Sequence, residues 1–154
     1  MGRPPQTRRR TRIAVLRAAG SRELAEVEVG GSTRWVLASD IRALRSAPRA
    51  EGVRLLPSFD QLLVVSAPHP EAVVDPEHAG RVYRPRIAVW SLPAVLVDGR
   101  VRAGWKLSRQ RDRVIVSVDA FRKLGKDSLA RLSEEAHRVG ALLGAEAQLD
   151  MPPS

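Results

Sequence analysis

Val95-Leu96-Val97-Asp98-Gly99-Arg100-Val101 carries two short apolar runs on either side of an Asp-Gly pair. A two-residue hairpin loop needs positive φ angles at its centre, which Asp and Gly adopt at little steric cost, so this stretch predicts an antiparallel turn. The returning strand reaches Trp105 and Leu107, and a polar loop over 108–113 predicts a second reversal into a strand at 114–118. Before the hairpin, 87–90 reads as a strand. Further upstream, Val53–Leu56 and 62–65 are apolar runs separated by Pro57-Ser58-Phe59-Asp60, whose proline and aspartate suit a tight corner. Pro68, Pro70 and Pro76 all fall within 67–80, too many for a regular element, so an irregular loop is expected there. Five or six short antiparallel strands suggest a small barrel or a strongly curled sheet. Leu129, Leu132, Ala136, Val139 and Leu143 then recur at three and four residues, predicting a final helix with Asp127 as cap and Gly144 as stop.

A Ser-Ala-Pro-Arg-Ala-Glu-Gly stretch over 46–52 reads as a linker to a module with its own pattern. Residues 9–19 fit a short helix with Ile13 and Leu16 inward and Gly20 as stop. Leu24–Val29 alternates Val27 and Val29 against Glu26 and Glu28, and Gly30-Gly31-Ser32 reverses the chain into 34–37. Ser39 offers an N-cap to a helix carrying Ile41 and Leu44 that ends near Pro48. Helix, hairpin, helix is what remains of a winged helix without its leading helices, and such a hairpin lies along a duplex backbone. A plain α+β satellite packed on the next domain fits the same pattern.

At 154 residues, 44% of them hydrophobic, the chain can bury one core, or one core plus a small satellite. No apolar run approaches the ~18 residues of a membrane span, and no apolar segment follows the first arginines, so a cytoplasmic protein is expected. Absence of cysteine excludes disulfides, thiolate zinc sites and cysteine nucleophiles. With only His69, His78 and His137, far apart, no metal or cofactor is expected. The charge is concentrated at the front. Arg3, Arg8, Arg9, Arg10, Arg12, Arg17 and Arg22 stand in 1–22 without an acid, a net of +7; the other 19 basic and 17 acidic residues leave +2 of the total +9. Guanidinium groups supply both the charge and the forked donors that phosphate binding uses. A merely solvated arm in an arginine- and alanine-rich sequence is the other reading.

Val53-Arg54-Leu55-Leu56-Pro57-Ser58-Phe59-Asp60, followed by Pro93-Ala94-Val95-Leu96-Val97-Asp98-Gly99-Arg100-Val101 and Trp105, resembles the C-terminal signature of the winged-helix DNA-binding family that includes the AlkZ-like crosslink glycosylases. Glu23-Leu24-Ala25-Glu26-Val27-Glu28-Val29 and Arg34-Trp35-Val36-Leu37-Ala38 resemble that family's last wing, so the resemblance spans residues 20–145. It implies a DNA-binding protein in which three winged-helix units stack against a C-terminal β-barrel to make a basic concave face for duplex DNA. It also implies that glycosylase chemistry belongs to a Gln-x-Gln or Gln-x-Asp motif in the N-terminal unit, a unit missing here. Gln110-Arg111-Asp112 matches Gln-x-Asp by letters, in a barrel loop. Where the family usually has a glycine Ala103 stands, with Gly104 next.

Among candidate acids, Asp60 fits a turn cap better than a catalytic base, and Glu134 and Glu135 are expected on the solvated face of the last helix. His69 and His78 are expected at the surface, and Trp35, Trp90 and Trp105 to pack within apolar strands rather than stack on bases. The expected class is α+β: a partial winged-helix module with a basic arm over 1–50, a small antiparallel β-barrel with a C-terminal helix over 51–147, and a disordered tail over 148–154. The expected function is binding of duplex DNA, chiefly through its phosphates, by Arg8, Arg9, Arg10, Arg12 and Arg17, with Arg34 on the wing, weak sequence preference and no catalytic residue. A base-excision glycosylase with an unrecognised site, and a scaffold whose protein partner supplies the missing winged-helix units, are the alternatives. Replacing Arg8, Arg9, Arg10, Arg12 and Arg17 with alanine is expected to lower DNA affinity uniformly across sequences and to flatten its salt dependence in an anisotropy titration; unchanged binding would show the arm to be merely solvated.

Overall fold

In the computed structural model, which describes residues 23–29, 31–83 and 91–151, the Asp-Gly pair turns the chain as its chemistry requires, with φ of 47° at Asp98 and 78° at Gly99. The chain divides into two compact units, Met1–Pro48 and Arg49–Ser154.

In the first unit, β1 (Leu24–Val29) pairs antiparallel with β2 (Ser32–Leu37), Val29 opposite Ser32 and Leu24 opposite Leu37. Gly31 turns the hairpin at φ 71°, a conformation that costs a side-chain-free residue little. The Ala38 N–H donates to the Glu23 carbonyl at 2.7 Å, extending the ladder. The chain then runs through a 3-10 turn, Ala38–Asp40, into α1 (Ile41–Arg45). Ser39 therefore lies inside the turn and not at the cap; its hydroxyl donates to Asp40 Oδ1 at 3.2 Å. The helix expected at 9–19 lies outside the described residues.

The second unit contains, in order, β3 (Val53–Leu56), α2 (Gln61–Ser66), α3 (Ala79–Val82), β4 (Ala94–Val97), β5 (Arg100–Gln110), β6 (Arg113–Ala120), α4 (Lys126–Leu142) and β7 (Glu146–Asp150). Its five strands form one curled sheet in the order β3-β4-β5-β6-β7. The pairs are antiparallel except the last, where β7 lies parallel to β6. The expected antiparallel barrel is thus a half-barrel: α4 is a crossover that returns the chain in the direction of β6 instead of closing the cylinder. β7 also claims 148–150 from the expected disordered tail, because Ala147 and Leu149 alternate inward between Glu146, Gln148 and Asp150.

Three local expectations change for identifiable reasons. The apolar run at 62–65 is helical, not a strand: Asp60 accepts from the Leu62 N–H at 2.9 Å and starts α2, and a run this short carries no decisive period. The proline-rich segment holds two 3-10 turns, Pro70–Ala72 and Pro76–His78, each opening on a proline whose missing N–H would have had no partner. Arg111, at φ 43°, lets Arg111-Asp112 close the second hairpin, so the strands run through Gln110 and from Arg113 where a loop over 108–113 was expected. The strand expected at 87–90 lies outside the described residues.

Strand alternation feeds two cores. Val53, Val95, Ala103, Val116 and Val118 meet Leu132 and Ala136 of α4, while Leu63, Val74, Val82, Ala94 and Val101 form a second cluster. Ala94 and Val95 are consecutive on one strand, so the clusters lie on opposite faces of the sheet. β5 serves both through a bulge. Leu96 pairs with Val101 and Val95 with Ala103, leaving Arg102 as the extra residue.

α4 begins after Gly125, with Asp127 in its first turn and not at the cap. It stops at Gly144 as expected: Gly144, at φ 64°, donates to the Ala141 carbonyl at 3.2 Å and Ala145 to that of Gly140 at 3.0 Å. That turn brings β7 hard against the helix, where a Cβ on Gly140 would stand 2.7 Å from both the Ala145 oxygen and Ala147 Cβ. Gly140→Ala is therefore expected to lower stability by about 1–3 kcal/mol despite alanine's better helix propensity, read as a reduced Tm; an unchanged or raised Tm would mean that β7 can retreat without penalty.

Candidate nucleic-acid interface

Many of the second unit's cations are consumed inside the fold. Arg100 donates to the carbonyls of Glu71 and Ala72 at 2.9 and 3.1 Å and pairs with Asp75 at 2.7 Å, and the bulged Arg102 reaches the other Asp75 oxygen at 2.8 Å. Arg122 bonds Glu77, and Arg81 pairs with Asp119 at 2.6 Å while its guanidinium lies 4.3 Å from the centre of the Phe121 ring. These interactions, with the backbone bond from Val101 to Val73 at 2.7 Å, strap the proline-rich segment to β5 and the end of β6. The Arg100 hydrogen bond, with the charges of Arg102, Arg100 and Arg122, holds the Asp75 carboxyl below its ordinary range. Glu77 is lowered likewise, first by its hydrogen bond to Arg122 and then by that residue's charge.

Glu135 is 8% exposed and ties Arg54 at 2.9 Å and Arg138 at 3.4 Å, so it sits under the edge of α4 and not, as expected, on its solvated face. Glu134, as expected, is exposed. Asp60 caps α2, as its place in the corner suggested. Trp105 packs on the core beneath α4 and donates its indole N–H to the Leu56 carbonyl at 2.7 Å; Trp35 is half-buried on β2, and Trp90 lies outside the described residues. His69 is half-exposed, whereas the His78 side chain is only 17% exposed and lies against the Phe121 ring with centroids 5.0 Å apart, a packing role where a surface one was expected.

A different set of cations faces water. β4 ends opposite Gly104, and β5 runs on to Gln110 with β6 as its partner. Along this projecting part Lys106, Arg109, Arg111 and Arg113 are all exposed, with Asp112 as the one acid between them on the hairpin tip. The side chains of Lys106, Arg109 and Arg111 have no hydrogen-bond or ion-pair partner among the described residues; Arg113 donates to Gln148 Oε1 at 3.4 Å. Gln110, Arg111, Asp112 and Arg113 border an open cleft of about 590 Å³ closed by Glu146. The letters Gln-x-Asp at 110–112 therefore stand on an exposed turn between guanidinium groups, and no aromatic side chain lines that cleft. Sequence reading passed over this hairpin because its arginines are interleaved with Ser108, Gln110 and Asp112 and look like an ordinary solvated loop; the signal that could have found it is the run of four cations over 106–113.

In the first unit Arg34 is half-buried on β2, opposite Val27, and donates to the Thr33 carbonyl at 3.2 Å. Arg8, Arg9, Arg10, Arg12 and Arg17 lie outside the described residues. No group of three or more histidines, acids or cysteines placed to hold a metal occurs among the described residues, and no helix there is long and apolar enough to cross a membrane.

The family model described as DNA glycosylase AlkZ-like matches residues 5–142. The chain belongs to the AlkZ-like DNA glycosylase family. It is 39% identical over 88 residues to the interstrand DNA cross-link repair glycosylase of Streptomyces sahachiroi, a match covering 57% of this chain and 23% of that protein. The solved structure of the Streptomyces sahachiroi DNA glycosylase AlkZ superposes with a TM-score of 0.72 at 27% identity, covering 97% of this chain and 37% of the other. The chain thus spans well under half the length of these AlkZ-like relatives.

The strap gives the AlkZ-like chain a defined acid response. Because Asp75 and Glu77 have lowered values when folded, the stability they contribute is complete above the ordinary carboxylate range and is lost as pH falls through that range toward their folded values. Thermal melts are expected to show Tm falling below about pH 4, with a shallower fall in Asp75→Asn; identical profiles would exclude Asp75 as a source of the acid sensitivity.

Proposed function

We propose that the chain is a DNA-binding module of a DNA-repair glycosylase that grips duplex DNA by its phosphates and leaves base removal to a unit outside it. The observation carrying this reading is the separation of the cations in an AlkZ-like fold: Arg100, Arg102, Arg122, Arg81 and Arg54 are neutralised by internal carboxylates, while Lys106, Arg109 and Arg111 are left open. Solvated cations that satisfy nothing in their own fold contribute by displacing counterions from a polyanion. The hairpin β1–β2 takes the part of a wing, with Arg34 on its second strand, and Arg8, Arg9, Arg10, Arg12 and Arg17 add the arm. Phosphate contacts position a protein without reading sequence, so little base preference follows. The exposed setting of Gln110 and Asp112 supports the absence of glycosylase chemistry from this hairpin, since cleavage of a glycosidic bond needs a sheltered base pocket beside its acid or base.

Arg109→Ala, Arg111→Ala and Arg113→Ala combined are expected to weaken duplex binding and to reduce the slope of log affinity against log salt by about 0.9 for each phosphate that the hairpin no longer neutralises, with the melting temperature held. An unchanged slope would remove the hairpin from the interface. Incubation with crosslinked duplex followed by abasic-site cleavage is expected to leave the strands intact; cleavage would make the module an enzyme by itself.

A further inference from the structure

On the face of the sheet away from α4, beside Pro93, lies a cavity of about 250 Å³ whose floor includes Gly104. Leu92 and Pro93 supply apolar wall, Trp105 and Val118, whose side chains pack in the core under α4, border it from β5 and β6, and Lys106, Ser117, Asp119 and Arg81 complete the lining. The cavity exists because position 104 has no side chain. A Cβ there would find its nearest neighbour, the Pro93 oxygen, at 3.8 Å, an ordinary contact, and Gly104 is not among the left-handed residues of the chain. Neither packing nor backbone geometry requires glycine at 104; what glycine does is leave the slot empty. At this size the cavity falls below the ~300–1,000 Å³ of sites for larger ligands, which suits one planar ring system.

The lining also states what the ring carries. Lys106 is exposed and has no partner among the described residues, so a cation stands ready beside an apolar slot. Asp119 is 71% exposed and, although paired with Arg81, keeps acceptor capacity for an N–H donor. An aromatic side chain of a protein would bring no anion to Lys106; a nucleotide brings one with every base. We infer that this cavity receives a single unstacked nucleobase, its faces against Pro93 and Gly104, an exocyclic amine donating to Asp119, and the adjoining phosphate at Lys106. This rests on the DNA-binding reading above and adds to it a place for a base displaced from the duplex, since unpaired or damaged bases unstack at the lowest cost.

The full chain is titrated into two duplexes, one intact and one carrying a fluorescent adenine analogue opposite an abasic site, each with a remote dye for anisotropy. Analogue emission is expected to rise on binding to the wild-type chain, as the base leaves its stack. Gly104→Val, which fills the slot with a residue suited to a strand, is expected to abolish that rise and to weaken binding of the abasic duplex roughly tenfold, leaving the intact duplex unaffected. Gly104→Ala is expected to fall between them, and Lys106→Ala to reduce the rise without filling the slot, which keeps the test decisive if Gly104→Val melts early. Equal emission in wild type and both Gly104 variants would overturn the base slot while leaving duplex binding intact. Displacement by a short aromatic peptide but not by a mononucleotide would overturn it in favour of a protein side chain. Failure to bind either duplex would overturn the DNA-binding reading together with the slot.

Discussion

One residue too many on β5 organises the second unit. Side chains on a strand alternate between faces, so Val101, Ala103 and Trp105 would all point the same way in a regular ladder. Because Arg102 is looped out opposite the Val95/Leu96 step, Val101 joins the core under α2 and α3 while Ala103 and Trp105 join the core under α4. Without that residue Leu96 would still face Val101 and Val95 would still face Ala103 in a regular ladder, with the same faces buried but no guanidinium at the bulge. The bulge also aims its own residue: the Arg102 guanidinium reaches Asp75, and its carbonyl accepts the Phe121 N–H at 2.9 Å. That single insertion thus adds one ion pair to the strap across the proline-rich segment and one backbone bond to the end of β6.

The arrangement of charge follows from the same geometry. Where β5 is flanked by β4 on one side and β6 on the other, its arginines turn onto neighbouring segments and find carboxylates or carbonyls. Beyond Gly104, outside the span of β4, only Arg113 finds an acceptor, the Gln148 amide oxygen on β7, while the side chains of Lys106, Arg109 and Arg111 meet neither carboxylate nor carbonyl among the described residues. Internal pairs of this kind fix segments to one another; open cations are available to a polyanion at the cost only of their counterions.

Features encoded within a few residues were legible in the sequence. Asp98-Gly99 specified its turn through the φ angles it tolerates, Gly144 ended α4, and Asp60 capped the corner it belongs to. Features set by partners distant in sequence were not. The apolar run at 62–65 satisfied a strand and a helix equally until its cap decided, and the bulge at Arg102 leaves no trace in a Val-x-Ala-x-Trp pattern that looks perfectly regular. Glu135 follows a leucine by three positions and precedes an alanine that is itself buried, yet only the approach of Arg54 from β3 shows why a carboxylate is tolerated there. β7 was hidden because five residues with two apolar side chains resemble a tail unless a parallel neighbour is known. Of the candidate interface, the arginine arm was conspicuous as a block, while the hairpin cations became distinct only once their paired counterparts had been identified.

An open half-barrel, unlike a closed one, leaves two strand edges, and an exposed edge invites other chains to add to it. β3 presents only four residues before Pro57, which has no N–H to offer a visitor. β7, at the other end, carries Glu146, Gln148 and Asp150 exposed along its five residues, so a second copy approaching edge to edge would bring like carboxylates together. Among the described residues the sheet thus discourages edge-to-edge addition by the shortness of one margin and the acidity of the other.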